Sequence, residues 1–478
     1  MKLRQRLGKF FLASLFVFNG QASFGESVET TFIQLLSRAI SKVNDEEGAL
    51  WPGFQVSKTP SIVHFSNAHF YAFDYTPKLQ TWQKTVIEGR DVFYLPENSL
   101  NLTIPLACQS MVEDQPSYVY KYHEVATPAR NVSAFIHERF HCYQYLNYRV
   151  TQWADSYTGF NNLENIQLAF LEAEVLKNYS KTQSLEDLKN FVAVNRFRTK
   201  LLDDGSILYE ERQERYEGMA DYVAWQIAVP ERESRIDGII ADYERPDVCA
   251  PANAIDCVLK QRYYLTGNII GFALDNLNSK NWKFLVEKEE ASPRQLLLAN
   301  FPMTSEEIDH RLAETKARYH YDELIAPVNE ALDNYKAELA QQLKAYNNLS
   351  GIKFRFSQLP CGSGGAQTGK TYYIDGESRL ALDVQSHTEC LDNSFFVNYH
   401  LPFEFTTSQF VEIKIPSDAL MVIDGRKITA TDLAETQQEI IFNNLEIRAA
   451  DLSFRAINSP GKLSSLEHSL SLQFERRE

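Results

Sequence analysis

At 478 residues the chain is long enough for two or three domains, each able to bury its own core. Its 44% hydrophobic, 12% aromatic and 23% charged residues are those of a folded globular protein, which excludes low-complexity and fibrous classes. A formal charge of -15 opposes the phosphate neutralisation that nucleic-acid binding requires, so nucleic acid and anionic membrane surfaces are not expected partners.

The first 25 residues depart from this average. Lys2, Arg4, Arg6 and Lys9 precede the apolar run from Phe10 to Phe18, and small residues follow around Ala22 and Gly25. Charged, apolar and small in that order is the pattern of a secretory signal, with cleavage expected after Ala22 or Gly25. The apolar run is about half the length that a bilayer-spanning helix needs. Export to the periplasm or the medium is therefore expected, with no membrane insertion after cleavage. Loss of the four cations takes the charge from -15 to about -19.

Six cysteines in an exported chain can all be paired, in any of fifteen ways. Proximity in sequence suggests Cys249 with Cys257 and Cys361 with Cys390, leaving Cys108 for Cys142, and buried free thiols are the alternative. Asn101, Asn131, Asn178 and Asn348 head glycosylation sequons that matter only in a glycosylating pathway.

In chain order, Phe32, Leu35, Leu36, Ala39, Ile40 and Val43 predict an opening helix. Between residues 61 and 125, short β-branched and aromatic runs at 61–65, 91–95 and 118–122 predict a small sheet. From 128 to 345 the periodicity is helical, over 131–150, 161–178, 184–200, 207–228, 256–278 and 304–345. The last stretch carries Glu306, Glu307, Arg311, Glu314, Lys316 and Arg318 on what reads as a solvated face. Beyond Pro360 a Gly-rich stretch and strand-like runs follow, with hairpin signals at Asp375-Gly376 and Asp424-Gly425. The expected fold is α+β. A signal at 1–25 precedes an α+β domain at 26–345, whose sheet half is 26–127 and helical half 128–345, and an all-β domain at 346–478.

The chemistry concentrates at His137-Glu138-Arg139-Phe140-His141. Histidines four residues apart share one helical face, and Glu138 lies beside them. This pattern suits zinc, which takes two neutral imidazoles and a third protein ligand and keeps one position open for the water that becomes the nucleophile. Val132, Phe135, Ile136, Phe140, Tyr143 and Leu146 form an apolar stripe to anchor the helix, with Asn131 or Ser133 as its cap. Downstream, Tyr216-Glu217-Gly218-Met219-Ala220-Asp221-Tyr222 offers Glu217 as third ligand and Asp221 as a carboxylate to hold a liganding histidine. The plainer alternative is an acidic surface helix, since Glu210, Glu211 and Glu214 lie just before it. Glu172 is a second candidate ligand.

These motifs resemble those of the gluzincin metallopeptidases, in which His-Glu-x-x-His is followed by a glutamate ligand on a later helix. The Tyr216–Tyr222 segment is similar to the Asn-Glu-Gly-Phe-Ala-x-Tyr of the aminopeptidase-N-like branch, and Glu217 with Asp221 to the Glu-x-x-x-Asp of thermolysin-like enzymes. Tyr264-Leu265-Thr266-Gly267 is similar to the Tyr-x-x-Gly helix whose tyrosine stabilises the oxyanion. The resemblance implies a Zn2+ cofactor on His137, His141 and Glu217, Glu138 as general base, Tyr264 as oxyanion donor with Tyr263 as its competitor, and a peptide or protein substrate. It covers three short motifs between about 131 and 275. The 75 residues between His141 and Glu217 exceed the aminopeptidase spacing, and no Gly-x-Met-Glu-Asn element captures a free amine. The alternative expectation is a catalytically inactive zincin-like binding or scaffold protein of the cell envelope.

Overall fold

The computed structural model describes residues 28–45, 50–65, 69–79, 81–96, 108, 110–124, 126–151, 157–357, 365–367, 370–374, 378–382, 385–389, 395–399, 403–406, 410–436, 438–449, 452–457, 461–466 and 469–474. The expected signal peptide, the Asn101 sequon, the Cys361–Cys390 pair and the Asp375-Gly376 turn lie outside them. Helices and several sheets coexist, compatible with the α+β class. The chain forms two compact units, residues 1–142 and 143–478.

The first unit opens with helix α1 (Val28–Asp45). Six strands follow: β1 (Ser61–His64), β2 (Phe70–Phe73), β3 (Gln83–Ile87), β4 (Arg90–Leu95), β5 (Ser110–Val112) and β6 (Gln115–Lys121). Their order in the sheet is β3-β4-β2-β1-β6-β5, with β1 and β6 parallel and the other neighbours antiparallel. Side chains alternate along β6 as a strand requires. Tyr118 and Tyr120 both meet the Phe135 ring, whereas Val119 joins Ile62, Phe70, Ala72 and Trp82 in a separate cluster.

Helix α2 (Pro128–Asn147) follows, and the boundary between the units falls within it. Its start differs from the expected cap. Thr127 Oγ1 accepts from the Arg130 amide at 3.3 Å, while Asn131 is buried and bonded to the Tyr120 hydroxyl at 3.0 Å and the His123 amide at 2.9 Å. Asn131 thus ties the helix to the end of β6, and with its Nδ2 donating to the His123 carbonyl at 3.0 Å it is not an open sequon. Val132, Phe135, Ile136 and Phe140 are buried as expected, with Phe140 edge-on to Trp51 and Phe54, but Leu146 is exposed. The stripe ends one turn earlier than its hydrophobicity suggests.

The second unit continues with α3 (Leu163–Thr182), α4 (Leu185–Arg198), α5 (Asp204–Gln213), α6 (Met219–Ala228) and α7 (Arg232–Tyr243). Then come α8 (Ala254–Asp256), α9 (Arg262–Asn276), α10 (Trp282–Lys288), α11 (Pro293–Ala299), α12 (Ser305–Arg318) and α13 (Tyr321–Asn348). Two π-turns interrupt this set: Glu214–Gly218 between α5 and α6, and Cys257–Gln261 between α8 and α9. The expected single helix at 304–345 is two. Thr304 and Glu307 make a capping box at the start of α12, and His320 takes a left-handed φ of 47° between α12 and α13.

After α13, an eight-stranded and a seven-stranded sheet share one apolar core. Phe354, Ile413 and Leu472 enter it from the first sheet, and Met421, Ile447 and Phe454 from the second. The Asp424-Gly425 hairpin forms as expected, with φ of 46° and 83° joining Leu420–Ile423 to Arg426–Thr429.

Candidate metal centre

Residues four apart on a helix stand one above the other, and the His137 and His141 rings meet edge to face with centroids 4.5 Å apart. His137 is buried and His141 half-buried. Among the described residues, His137, His141 and Glu217 form a group able to hold a metal ion, each offering one ligand atom and all three atoms lying within 4.8 Å of one another. Glu138 is exposed, and its charge helps to raise the Tyr118 and Tyr120 phenols, although burial is the larger cause for both.

The helix bearing both histidines is fixed between them and just after them. Arg139 sends its guanidinium to the carbonyls of Val56 at 2.6 Å and Thr59 at 3.2 Å. Cys142, next to His141, is disulfide-bonded to Cys108 with Cα atoms 5.1 Å apart, the pairing left over once the nearer cysteines are matched. It is therefore no ligand. Cys249 and Cys257 also pair, with Cα atoms 4.8 Å apart.

Glu217 sits in the first π-turn, where an extra residue per turn re-aims the side chains that follow. Three groups set that turn. Gln144 Nε2 donates to the carbonyls of Arg215 at 3.3 Å and Tyr216 at 3.0 Å. Arg215 donates to the carbonyls of Val286 at 2.7 Å and Glu287 at 3.2 Å, with its guanidinium over the Tyr148 ring. Glu214 is fully buried, bonded to Arg294 Nε at 2.8 Å and to Thr266 Oγ1 at 2.5 Å.

Glu214 belongs to a buried ionic cluster that overturns two sequence expectations. Glu172, a candidate ligand, instead pairs with Arg198 at 2.9 Å, Arg262 at 3.2 Å and Arg294 at 3.5 Å. Glu210 pairs with Arg198 and Arg262, each at 2.5 Å. Burial alone would raise the Glu172 and Glu210 carboxyls, but the surrounding guanidiniums outweigh it and hold both below the usual carboxylate range. The segment before Glu217 is therefore not an acidic surface helix: Glu210 and Glu214 are buried against three arginines, and only Glu211 is partly exposed.

Gly218, next to Glu217, packs against Gly267 of α9, and a Cβ there would lie 2.6 Å from the Gly267 Cα. No side chain fits between the two helices at that point. Tyr264, one turn before Gly267, is half-buried. Tyr263 is fully buried, with Arg262 over its ring at 4.6 Å. Tyr263 is thus a packing tyrosine. Asp221 accepts from Asn268 Nδ2 at 2.8 Å. Gln144 escaped the sequence reading, although its spacing of seven from His137 and three from His141 places it on their face and was the available signal.

Comparison of the chain with protein-family models, with curated proteins and with solved structures finds no match.

Proposed function

We propose that the chain is an exported, zinc-dependent peptidase of gluzincin type. The observation that carries this reading is the grouping of His137, His141 and Glu217 within 4.8 Å. Two imidazoles and one carboxylate are a fitting donor set for zinc, and three protein ligands leave one position open. Once bound, zinc would act as a Lewis acid that brings the pKa of water towards neutrality.

The remaining steps belong to the chain's own side chains. Glu138, exposed between the two histidines, takes the proton of the attacking water and returns it to the leaving amine. Tyr264 donates to the carbonyl oxygen of the scissile bond as negative charge develops there, a role worth a few kcal/mol. Asp221, anchored by Asn268, orients an imidazole through its other ring nitrogen. Gln144 and Arg215 hold the turn that presents Glu217.

Two disulfides suit an oxidising compartment, and no described helix is long and apolar enough to cross a membrane. The disulfides support export. Digestion of a mixed peptide library, followed by mass spectrometry, tests the activity. Wild type is expected to generate new termini and Glu138→Gln to generate at most about one hundredth as many, a loss in line with general-base removal. Equal activity of the two proteins would refute the assigned roles.

A further inference from the structure

Arg212, near the end of α5, and Arg215, in the first π-turn, stand three residues apart just before Glu217. Both are buried, at 8% and 1% exposure. Arg212 pairs with one carboxylate, Glu290, through Nη2 at 3.3 Å, and Thr151 Oγ1 holds the same Glu290 oxygen at 2.6 Å. Arg215 has no carboxylate within ion-pair distance among the described residues; its Nε and Nη2 donate to the carbonyls of Val286 and Glu287. Three guanidinium nitrogens are left, Arg212 Nε, Arg212 Nη1 and Arg215 Nη1. All three are buried, and none donates to a described group.

These groups act on one another. Arg215 feels Arg212 as a like charge and Glu290 as an opposite one, and the same three act on the half-buried Tyr216 phenol. Glu290 Oε1 is also buried and accepts from no described donor. A rotation of Glu290 that engaged it would still leave two guanidiniums against one carboxylate. One positive charge therefore remains at a buried position. A guanidinium buried in this way is destabilised twice, by its uncompensated charge and by its unmade hydrogen bonds. Water can satisfy the second; an anion satisfies both. Guanidinium N–H groups are the donors best suited to a carboxylate or other small anion. Burial of nine-tenths restricts the ligand to a small one, and a single excess charge calls for a monovalent one.

We propose that Arg212 and Arg215 bind a small monovalent anion, a halide ion or a free carboxylate, at the turn that presents Glu217. The site itself is independent of the peptidase reading, and only its consequence for the metal rests on that reading. An anion on Arg215 Nη1 holds the guanidinium where its bonds to the Val286 and Glu287 carbonyls need it. The turn is steadied two residues before Glu217, so zinc on His137, His141 and Glu217 leaves more slowly.

Thermal melting of the full-length protein tests the site. Chloride, or acetate in a parallel series, replaces gluconate at constant ionic strength, which holds screening fixed. The expected result is a saturable rise in melting temperature with chloride, acetate or both. A response to chloride alone assigns a halide site, and a response to acetate assigns a carboxylate site. Arg212→Gln is expected to weaken the apparent affinity at least about tenfold. Glu290→Gln removes the competing carboxylate and is expected to strengthen it at least about threefold, a gain that a merely structural role would not produce and one that serves should Arg212→Gln fail to fold. Melting temperatures flat in both series, or a rise that Arg212→Gln and Glu290→Gln both leave unchanged, would overturn the site. Zinc release to a chelator is expected to slow at saturating anion. Anion binding with unchanged zinc release would keep the site and overturn its coupling to Glu217. A wild type that takes up no zinc fails the metal reading, and the melting series decides the anion site without it.

Discussion

Gly218 and Gly267 meet backbone to backbone, with space for no Cβ between them, so the helix that presents Glu217 and the helix that carries Tyr264 are locked in register at one point. Gly218→Ala and Gly267→Ala should each force the helices apart, at an overpacking cost of about 1–3 kcal/mol. Thermal melting and zinc stoichiometry are expected to fall together in both variants. An alanine variant with an unchanged melting temperature would show that the contact is looser than described.

The ionic cluster under that contact gives a second expectation. Arg294→Met removes the guanidinium bound to Glu214 and Glu172 and leaves carboxylates buried without it. Removing one partner of a buried pair costs about 3–5 kcal/mol, read as a shift of the urea midpoint. A conservative surface change such as Arg245→Lys serves as the control, since its partner Asp247 is exposed.

The same cluster sets an acid limit. Glu172 and Glu210 have folded-state pKa values below their unfolded values, so their contribution is fully present above the unfolded pKa and is lost as pH falls towards the folded pKa. With glutamate titrating near about 4.3 in the unfolded chain, stability from this source should be level above about pH 5 and decline below about pH 4. Urea midpoints between pH 7 and pH 3 measure it. Glu210→Gln should be less stable at pH 7 and show a shallower decline, and an identical slope would contradict the assignment.

Reduction of Cys108–Cys142 should loosen the end of α2 next to His141. A sequence separation of 34 corresponds to about 3.5–4 kcal/mol of loop-closure entropy. The Cys108→Ser, Cys142→Ser double variant is expected to melt earlier and to release zinc to a weaker chelator than wild type requires. Unaltered zinc retention would separate the disulfide from the metal group.

The two adjacent tyrosines should part in their effects. Tyr264→Phe is expected to lower kcat by about a hundredfold, the scale of one lost oxyanion donor, with zinc content and melting temperature preserved. Tyr263→Phe should leave kcat near wild type, because its ring is packed under Arg262. The reverse pattern would exchange their roles.

Local signals were readable in the sequence. Asp424-Gly425 dictates its hairpin because only a few residue types accept two successive positive φ angles. His137 and His141 announce a shared face because helical spacing alone puts them there. The Cys249–Cys257 pair, near in sequence, could also be read. What could not be read depends on partners far along the chain. Glu210 and Glu214 look like surface acids until Arg198, Arg262 and Arg294 are seen around them. The π-turns at Glu214–Gly218 and Cys257–Gln261 leave no periodicity signal, since one added residue merely shifts the apolar phase. The break at His320 escaped because the charged pattern continues through it, and α13 even accommodates Pro327 within its first two turns.

The grouping of His137, His141 and Glu217 is tested most directly by metal content. Purified wild type and Glu217→Ala, the latter verified as folded by circular dichroism, are analysed by inductively coupled plasma mass spectrometry after dialysis against trace zinc. The expected result is about one zinc per wild-type chain and near none in Glu217→Ala. A metal-free wild type, or equal zinc in the two proteins, would contradict the assignment of these three residues as the metal ligands.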